Sequence, residues 1–268
     1  MNIYLCIIIG ALLLEFMLFN LSRHLDLKNI STSLPNEFKG YYSASEYTRS
    51  QEYLVENTRF SYLTSAVDVL IILMVILFGL FNNVDLWLRD LAFSPMVTGL
   101  LFFGILFIFQ DIISTPFSLY RTFIIEENFG FNKTTPKTYL VDKLKSYFLL
   151  IILGGLILSL ILFFFNRFGD LAWLYAWIFL SAFLVLIQPL FTLFIAPMFN
   201  TFTPLEDGEL KDKINTFAEK VNFPISRIDV MDGSRRSSKS NAYFSGLGKN
   251  KRIALFDTLI ENHSEDEL

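Results

Sequence analysis

"YFLLIILGGLILSLILFFF", residues Tyr147–Phe165, is a run of 19 residues without a charged side chain. About 20 apolar residues in an α-helix cross the ~30 Å hydrocarbon core of a bilayer. A lone span must be helical, because lipid offers no hydrogen-bond partners and each backbone group has to be paired within the segment. This stretch therefore predicts a membrane-spanning helix and assigns the chain to the membrane proteins.

The composition of the whole chain agrees with this class. Its 268 residues are 53% hydrophobic and 18% charged, with a mean hydropathy of +0.47, whereas soluble domains carry about 25% charged residues. The net charge of −4 does not indicate a nucleic-acid partner. The single cysteine, Cys6, excludes an intrachain disulfide, and the sequence contains no Cys/His metal cluster.

Four further apolar blocks predict spans, and they cover Asn2–Leu21, Ser61–Phe81, Pro95–Phe109 with an extension towards Pro116, and Leu171–Phe199. The first block lacks the basic leader and the cleavage site of a signal peptide, so we expect it to stay in the protein as a span. The expected architecture is a mainly α, polytopic membrane domain of about five spans over residues 1–200. Its predicted cytoplasmic loops are residues 22–60 and 122–146.

The basic residues predict the orientation of these spans. With five spans, 20 of the 22 Lys and Arg residues lie on one side, and only Arg89 and Arg167 lie on the other. Cytoplasmic loops carry the excess of positive charge. We therefore expect the N-terminus outside and the C-terminal segment, residues 201–268, in the cytoplasm.

The C-terminal segment reads as a small, incomplete α+β piece. "DGELKDKINTFAEKVNF" predicts an amphipathic helix whose apolar face is formed by Leu210, Ile214, Phe217, Ala218 and Val221. "ISRIDVMDGS" and "KRIALFDTLI" read as strands or buried apolar runs. "GLGKN" has the composition of a hairpin turn, and it would join "NAYF" to "RIALF".

Three polar features have more than one interpretation. Glu15 and Asp68 lie inside spans, where a carboxylate faces a polar chamber or forms an interhelical hydrogen bond. "SRRSSK", Ser234 to Lys239, is either a solvated basic loop that faces anionic headgroups, which we expect, or a catalytic feature. "NAYF", residues 241–244, is either an ordinary hairpin strand or an edge that pairs with an extended peptide.

The stretch "ENHSEDEL" at residues 261–268 contains the start signal of a helix. Ser264 and Glu267 have the S-x-x-E spacing of a capping box, in which each residue pairs with the backbone N–H of the other. Leu268 would be the first apolar residue of that helix, so we expect a helix to begin here.

Three stretches together resemble one known family. They are "EENFGFNKTTPKTYLVDKLK", "APMFNTFTPLEDGEL" and, above all, "DGSRRSSKSNAYFSGLGKNKRIALFDTLIE". In these segments the chain is similar to the type-1 CAAX prenyl proteases, which are multi-span zinc metallopeptidases. The similarity extends over almost the whole chain and is weakest in the first span.

The resemblance implies a membrane chamber followed by a zincin-like catalytic domain. In the family, a helix with the motif H-E-x-x-H supplies two zinc ligands and the base that activates water. That helix would follow Leu268, so the resemblance places no catalytic residue and no metal ligand within this chain. The chain alone should be inactive, and the one zinc ion should bind only to the full-length protein. The residues carried over are the substrate-side strand, Asn241, Ala242, Tyr243 and Phe244.

The implied function is a membrane-integrated zinc metalloendopeptidase of CAAX processing. Its partners would be the lipid bilayer and a peptide or protein substrate, prenylated or otherwise hydrophobic, and its membrane would be the bacterial plasma membrane or the endoplasmic reticulum. Two other functions stay open. One is a non-catalytic scaffold or peptide-binding receptor, and the other is a transporter that uses Glu15 and Asp68.

Overall fold

The structure is a computed structural model that describes residues 2–31, 33–246, 248, 251–265 and 267–268. Contacts between residues divide the chain into two units, Met1–Phe129 and Gly130–Leu268. Each unit is described by itself.

The first unit is helical. Its helices are α1 (Ile3–Lys28), α2 (Ala44–Leu77), α3 (Leu80–Asp90) and α4 (Pro95–Tyr120), and α4 continues as a π-helical segment, Arg121–Glu126. The helices α1 and α2 and the continuous helix Pro95–Glu126 are each long and apolar enough to cross a membrane.

The second unit begins with two more such helices. The first, Pro136–Arg167, consists of α5 (Pro136–Leu149), a π-helical segment and α6 (Gly155–Arg167). The second, Gly169–Phe199, consists mainly of α7 (Ala172–Leu190), a π-helical segment and α8 (Ala196–Phe199). Within the described ranges the structure thus contains five candidate membrane helices, which confirms the predicted number.

The helices extend beyond the apolar blocks because polar residues start them. Helix α2 begins at a capping box well before the predicted start at Ser61. The N–H of Glu46 donates to Ser43 Oγ at 3.2 Å, and the N–H of Ser43 donates to Glu46 Oε2 at 3.2 Å. The apolar block therefore marks only the part of α2 that is suited to hydrocarbon.

A four-stranded sheet follows the membrane helices of the second unit. Its strands are β1 (Phe202–Pro204), β2 (Arg227–Met231), β3 (Ala242–Ser245) and β4 (Arg252–Phe256), with α9 (Glu209–Lys220) before β2 and α10 (Asp257–Asn262) after β4. The spatial order is β1-β2-β4-β3, and β2 and β4 are parallel while the outer pairs are antiparallel. The pairing of β3 with β4 confirms the predicted hairpin, although Leu247, Lys249 and Asn250 of its turn lie outside the described residues.

One face of the sheet packs on the helices to form the core of the second unit. Ile228 of β2 and Leu255 of β4 are buried there together with Leu205 and Leu210, and Ile214, Leu259 and Ile260 pack against them. Side chains alternate between the two faces of a strand. Asp229 and Arg252 are therefore on the opposite face, where both are buried.

Two details differ from the sequence-based expectations. The predicted amphipathic helix is present as α9, but Phe217 and, just after its end, Val221 are 66% and 51% exposed, so only part of the predicted apolar face is buried. In "KRIALFDTLI", the strand ends at Phe256 and the last residues form α10. Asp257 Oδ1 accepts hydrogen bonds from the N–H groups of Ser234 and Thr258, each at 2.8 Å, which turns the chain away from the sheet.

Candidate functional site

The predicted substrate strand lies at the edge of the sheet. Residues 242–244 belong to β3, which is the last strand in the order β1-β2-β4-β3. One side of β3 pairs with β4, and among the described residues no strand pairs with its other side. An edge strand presents unpaired N–H and C=O groups that can pair with another chain.

The hydrogen-bond pattern shows which residues face that open side. The N–H of Phe256 donates to the carbonyl oxygen of Asn241 at 3.0 Å, so Asn241 and Phe256 form a hydrogen-bonded pair. In an antiparallel ladder, hydrogen-bonded pairs alternate with pairs whose groups point outward. The register pairs Ala242 with Leu255 and Phe244 with Ile253. Ala242 and Phe244 therefore direct their backbone groups away from β4.

The side chain of Asn241 already forms a hydrogen bond with one of these outward backbone groups. Its Oδ1 accepts a hydrogen bond from the N–H of Ala242 at 2.8 Å. The outward groups left for a partner strand are the Ala242 carbonyl and both backbone groups of Phe244.

The side chains of β3 lie on two different faces. Phe244, which is 70% exposed, is on the same face as the core and contacts the ring of Phe223 edge-on, with 5.5 Å between the ring centroids. Lys251 Nζ lies 4.0 Å from the centroid of the Phe223 ring. Tyr243 is on the opposite face, where its hydroxyl lies 4.0 Å from Met231 Sδ. An aromatic patch and a basic residue thus flank the open edge.

The face that carries Tyr243 contains a buried ion pair. Arg252 Nη1 lies 3.6 Å from Asp229 Oδ2, and Arg227 also pairs with Asp229. The guanidinium of Arg252 stacks on Phe202, with its Cζ 4.3 Å from the ring centroid. Burial raises the pKa of the Tyr243 hydroxyl, and the positive charge of Arg252 opposes that rise.

The basic loop "SRRSSK" contains a partly buried clamp, which the sequence had not predicted. Arg236 Nε and Nη2 donate to the two carboxylate oxygens of Asp142 in α5, at 2.8 and 3.0 Å. Its Nη1 donates to Asn200 Oδ1 at 2.7 Å, and its Nη2 also donates to the carbonyl of Phe199 at 2.6 Å. The prediction of a solvated loop was wrong for Arg236, although the neighbouring Arg235 is exposed.

Further backbone contacts connect this loop to the segment before α5. The N–H of Lys133 donates to the carbonyl of Arg236 at 3.0 Å, and the hydroxyl of Thr134 donates to the same oxygen at 3.1 Å. The N–H of Ser238 donates to the carbonyl of Phe131 at 3.1 Å. Both segments belong to stretches quoted for the family resemblance, which was the only signal in the sequence that related them.

Glu15 and Asp68 line one cavity of the first unit. It has a volume of about 700 Å³ and lies among α1, α2, α3 and α4, with mostly apolar walls. Ser65 and Gln110 also line it. Within the described part of the chain neither carboxylate forms the alternative interhelical hydrogen bond, and both instead line this largely apolar cavity.

The described residues do not fit the zinc ion that the resemblance implies. Among them, no group of three or more His, Cys, Asp or Glu side chains is arranged to hold a metal ion. His263 Nδ1 lies 3.1 Å from the carbonyl of Leu259, and so it is engaged within α10 and its end.

The Ser264–Glu267 signal has the geometry of a helix start. Glu267 Oε2 accepts hydrogen bonds from the N–H of Ser264 at 2.9 Å and from its hydroxyl at 2.8 Å. The N–H of Leu268 donates to the carbonyl of Ser264 at 3.2 Å, as in a first helical turn. These hydrogen bonds to the ionised carboxylate lower the pKa of Glu267.

Two family models match the chain. Residues 23–201 match the model described as CAAX prenyl protease N-terminal, five membrane helices. Residues 204–268 match peptidase family M48.

Individual proteins match over most of the chain. It is 39% identical to CAAX prenyl protease 1 of Saccharomyces cerevisiae over 249 residues, which cover 88% of the chain and 55% of that protein. It is 41% identical to the probable CAAX prenyl protease 1 of Schizosaccharomyces pombe, over 86% of the chain and 50% of that protein. The crystal structure of S. mikatae Ste24p superposes on the whole chain with a TM-score of 0.91 and 34% identity.

The chain is shorter than these relatives. It spans about half the length of the two yeast proteases, and it covers 64% of the S. mikatae chain.

Proposed function

We propose that residues 1–268 supply the membrane helices and the substrate strand of a membrane-integrated endopeptidase, because this chain belongs to the M48 family of CAAX prenyl proteases. The observation that carries this proposal is the open edge of β3. The relatives are CAAX prenyl proteases by name, and so the proposed substrates are prenylated or otherwise hydrophobic proteins and peptides.

In this proposal β3 holds the substrate in an extended conformation. A peptide that adds to a sheet edge gains main-chain hydrogen bonds, and the pockets for alternate side chains provide specificity. The Ala242 carbonyl and the two backbone groups of Phe244 would form these hydrogen bonds. Asn241 would position the edge by holding the N–H of Ala242, and Tyr243, on the other face, would support the strand against the sheet.

The zinc ion and the catalytic base would come from residues outside 1–268. The two histidines of the chain, His24 and His263, do not form an H-E-x-x-H motif, and the described residues hold no metal-binding cluster. In the full-length protein, zinc would supply an activated water for peptide hydrolysis. The chain alone would bind a peptide without cleaving it.

The experiment measures peptide binding to purified chain 1–268 in lipid nanodiscs. The probe is a synthetic heptapeptide with an N-terminal fluorophore and a farnesylated cysteine at the fourth position from its C-terminus. We expect saturable binding by fluorescence anisotropy and an intact peptide by mass spectrometry. Stoichiometric zinc in the purified chain, or a cleaved peptide, would contradict the proposed location of the metal site.

Two substitutions at Phe244 separate the backbone from the side chain. Phe244→Ala keeps the outward N–H, whereas Phe244→Pro removes it without breaking the ladder to β4, because proline is tolerated where the N–H of an edge strand faces outward. We expect Phe244→Pro to weaken binding by about tenfold more than Phe244→Ala, which corresponds to the loss of one hydrogen bond of about 1.4 kcal/mol. Equal affinities of the two variants would rule out the paired-edge mode.

Family membership does not favour the other two functions. A scaffold or receptor would also bind the peptide through β3. Cleavage by the full-length protein distinguishes the two functions, since a receptor would leave the peptide intact. A transporter would move a solute across liposomes and would lose that flux when Glu15 or Asp68 is neutralised.

The proposed orientation puts the N-terminus outside and the sheet in the cytoplasm. It rests on the distribution of basic residues, of which Arg235 is an exposed example in the sheet region. In a Cys6→Ser background, an Arg235→Cys variant in right-side-out vesicles should react with a membrane-impermeant maleimide only after the vesicles are opened. Labelling of intact vesicles would indicate the opposite orientation, with the sheet outside.

A further inference from the structure

The cavity of the first unit combines apolar walls with polar groups inside the membrane-spanning helices. Glu15 lies near the midpoint of α1, and Gln110 lies near the midpoint of the helix Pro95–Glu126. Asp68 lies within the apolar block of α2. Glu15 and Asp68 are six and seven residues from the nearer end of their apolar blocks, Asn2–Leu21 and Ser61–Phe81, so about 9–10 Å of helix separates each of them from that end.

The two carboxylates have no partner among the described residues. Neither Glu15 nor Asp68 forms a hydrogen bond or an ion pair with any of them. A charged side chain at the centre of a bilayer costs about 2.5–3.5 kcal/mol on insertion scales, and intramembrane carboxylates ordinarily pair or line a functional cavity. The cavity therefore places two carboxyl groups without a protein partner against apolar walls, where an amine could pair with them.

The remaining lining favours a particular kind of cation. Four aromatic rings line the cavity, those of Phe16, Phe19, Phe81 and Phe109. The faces of such rings attract an ammonium or guanidinium group within about 6 Å. The Arg23 guanidinium already lies 4.2 Å from the centroid of the Phe19 ring, so the rings of Phe16, Phe81 and Phe109 are the ones left for a ligand.

We infer that this cavity binds a single-chain amphiphile that carries a protonated amine. The ammonium group would lie at Glu15 and Asp68, and the apolar chain would lie along the phenylalanine and aliphatic walls. A volume of about 700 Å³ is within the ~300–1,000 Å³ typical of small-molecule pockets. A bilayer phospholipid is a poorer occupant, because its headgroup stays at the interface while the two carboxyl groups lie inside the apolar blocks of their helices.

The test uses the wild-type chain in phosphatidylcholine nanodiscs with tritiated dodecylamine as the probe. Bound probe is counted by scintillation proximity while unlabelled competitors are added. We expect the probe to bind saturably. Unlabelled dodecylamine should displace it at a concentration at least about tenfold lower than dodecanol or dodecanoate, because those two compounds lack the ammonium group that pairs with the carboxylates. Displacement by dodecanol at the same concentration as dodecylamine would overturn the requirement for a cation.

Three carboxylate variants locate the site. Glu15→Gln and Asp68→Asn should each lower the affinity for dodecylamine by about tenfold. Asp111→Asn removes a carboxylate of α4 that does not line the cavity, and it should keep wild-type affinity. Wild-type affinity in both Glu15→Gln and Asp68→Asn, or a loss of affinity in Asp111→Asn equal to theirs, would overturn the site.

A further measurement distinguishes the amphiphile from a membrane lipid. The competition is repeated in nanodiscs that contain phosphatidylethanolamine, which carries an amine at the interface. An unchanged affinity for dodecylamine supports the single-chain occupant. A loss of dodecylamine binding identifies the occupant as a lipid and overturns the proposal, as does the absence of saturable binding in phosphatidylcholine alone.

Discussion

Arg236 in the second unit and the pair Glu15 and Asp68 in the first unit are charged groups in opposite situations. Arg236 donates to both carboxylate oxygens of Asp142, to a side-chain amide and to a backbone carbonyl. Glu15 and Asp68 have no such partner among the described residues, and both line an apolar cavity.

The difference separates charges that stabilise the fold from charges that cost stability. A bidentate Arg–carboxylate pair in a partly buried site gains both energy and geometric specificity. An unpaired intramembrane carboxylate only costs free energy in the protein by itself, so its presence calls for a ligand or another function. The charge on a residue does not decide its role, and its partners do.

Removal of the Arg236 side chain tests the paired half of this comparison. Arg236→Ala leaves the Asp142 carboxylate without a partner, and the side chains of the two residues are only 24% and 20% exposed. We expect the free energy of unfolding of the second unit to fall by about 2–4 kcal/mol. The measurement is thermal unfolding in detergent, followed by circular dichroism.

Arg235→Ala is the matched control, since it removes the exposed neighbouring arginine and should change stability by less than about 0.5 kcal/mol. Arg236→Lys keeps the charge but cannot form the fork, and it should lie between the two. If the two alanine variants had equal stability, the clamp would contribute nothing.

A pair of glycine substitutions compares packing in the two units. A Cβ at Gly233, next to this clamp, would lie 3.0 Å from Phe256 Cγ and 3.2 Å from Phe256 Cβ, and it would approach the ring still more closely. Gly233→Ala should therefore destabilise the protein by about 1–3 kcal/mol through overpacking.

The matched substitution in the first unit is Gly104→Ala in α4, where a Cβ meets no atom within 4 Å. It should be neutral or stabilise the protein by up to about 1 kcal/mol, because alanine favours a helix. A larger loss of stability in Gly104→Ala than in Gly233→Ala would reverse the contrast in packing.

Neutralisation of Asp68 tests the unpaired half of the comparison. Asp68→Asn removes a charge that has no partner among the described residues, and we expect it to stabilise the first unit by about 1 kcal/mol in lipid nanodiscs. The measurement is the midpoint of thermal unfolding at neutral pH. An unchanged midpoint would mean that the Asp68 carboxyl costs no stability in the lipid, and the two units would then not differ in this respect.

The smallest effect concerns a charge held only by local hydrogen bonds. Glu267 has a pKa below its ordinary value of 4.5, because the N–H and the hydroxyl of Ser264 donate to its carboxylate. A lowered pKa in the folded state stabilises this turn above pH 4.5, and that stabilisation is lost as the pH falls through the lowered pKa. Carbon NMR of the glutamate side chains should show the low value in the wild type and a return towards 4.5 in Ser264→Ala. Identical titrations in the two proteins would contradict the cap.

Local patterns in the sequence predicted most of the architecture. The uncharged run at residues 147–165 indicates a span, because hydrophobicity over 20 residues depends on composition alone. The hairpin around "GLGKN" depends on turn chemistry, and β3 with β4 confirms it. The exposure of Phe217 on α9 was not predicted, because periodicity indicates the helix face on which a side chain lies and not what packs against that face.

The candidate site likewise has features that the sequence predicted and features that only the structure reveals. The resemblance of "NAYF" to a known family selected residues 241–244, and only the strand order β1-β2-β4-β3 reveals that β3 lies at an edge. The Arg236–Asp142 clamp joins residues that are 94 positions apart, and no local pattern relates them.

The sequence by itself determined the membrane class, the number of spans, the family and the candidate substrate strand, because each follows from composition or from contiguous residues. The tertiary structure alone decided which charges are paired, which backbone groups of β3 are open, and that Glu15 and Asp68 face one cavity. Those properties depend on distances between segments remote in the chain, and these distances are set by the packing of the whole unit.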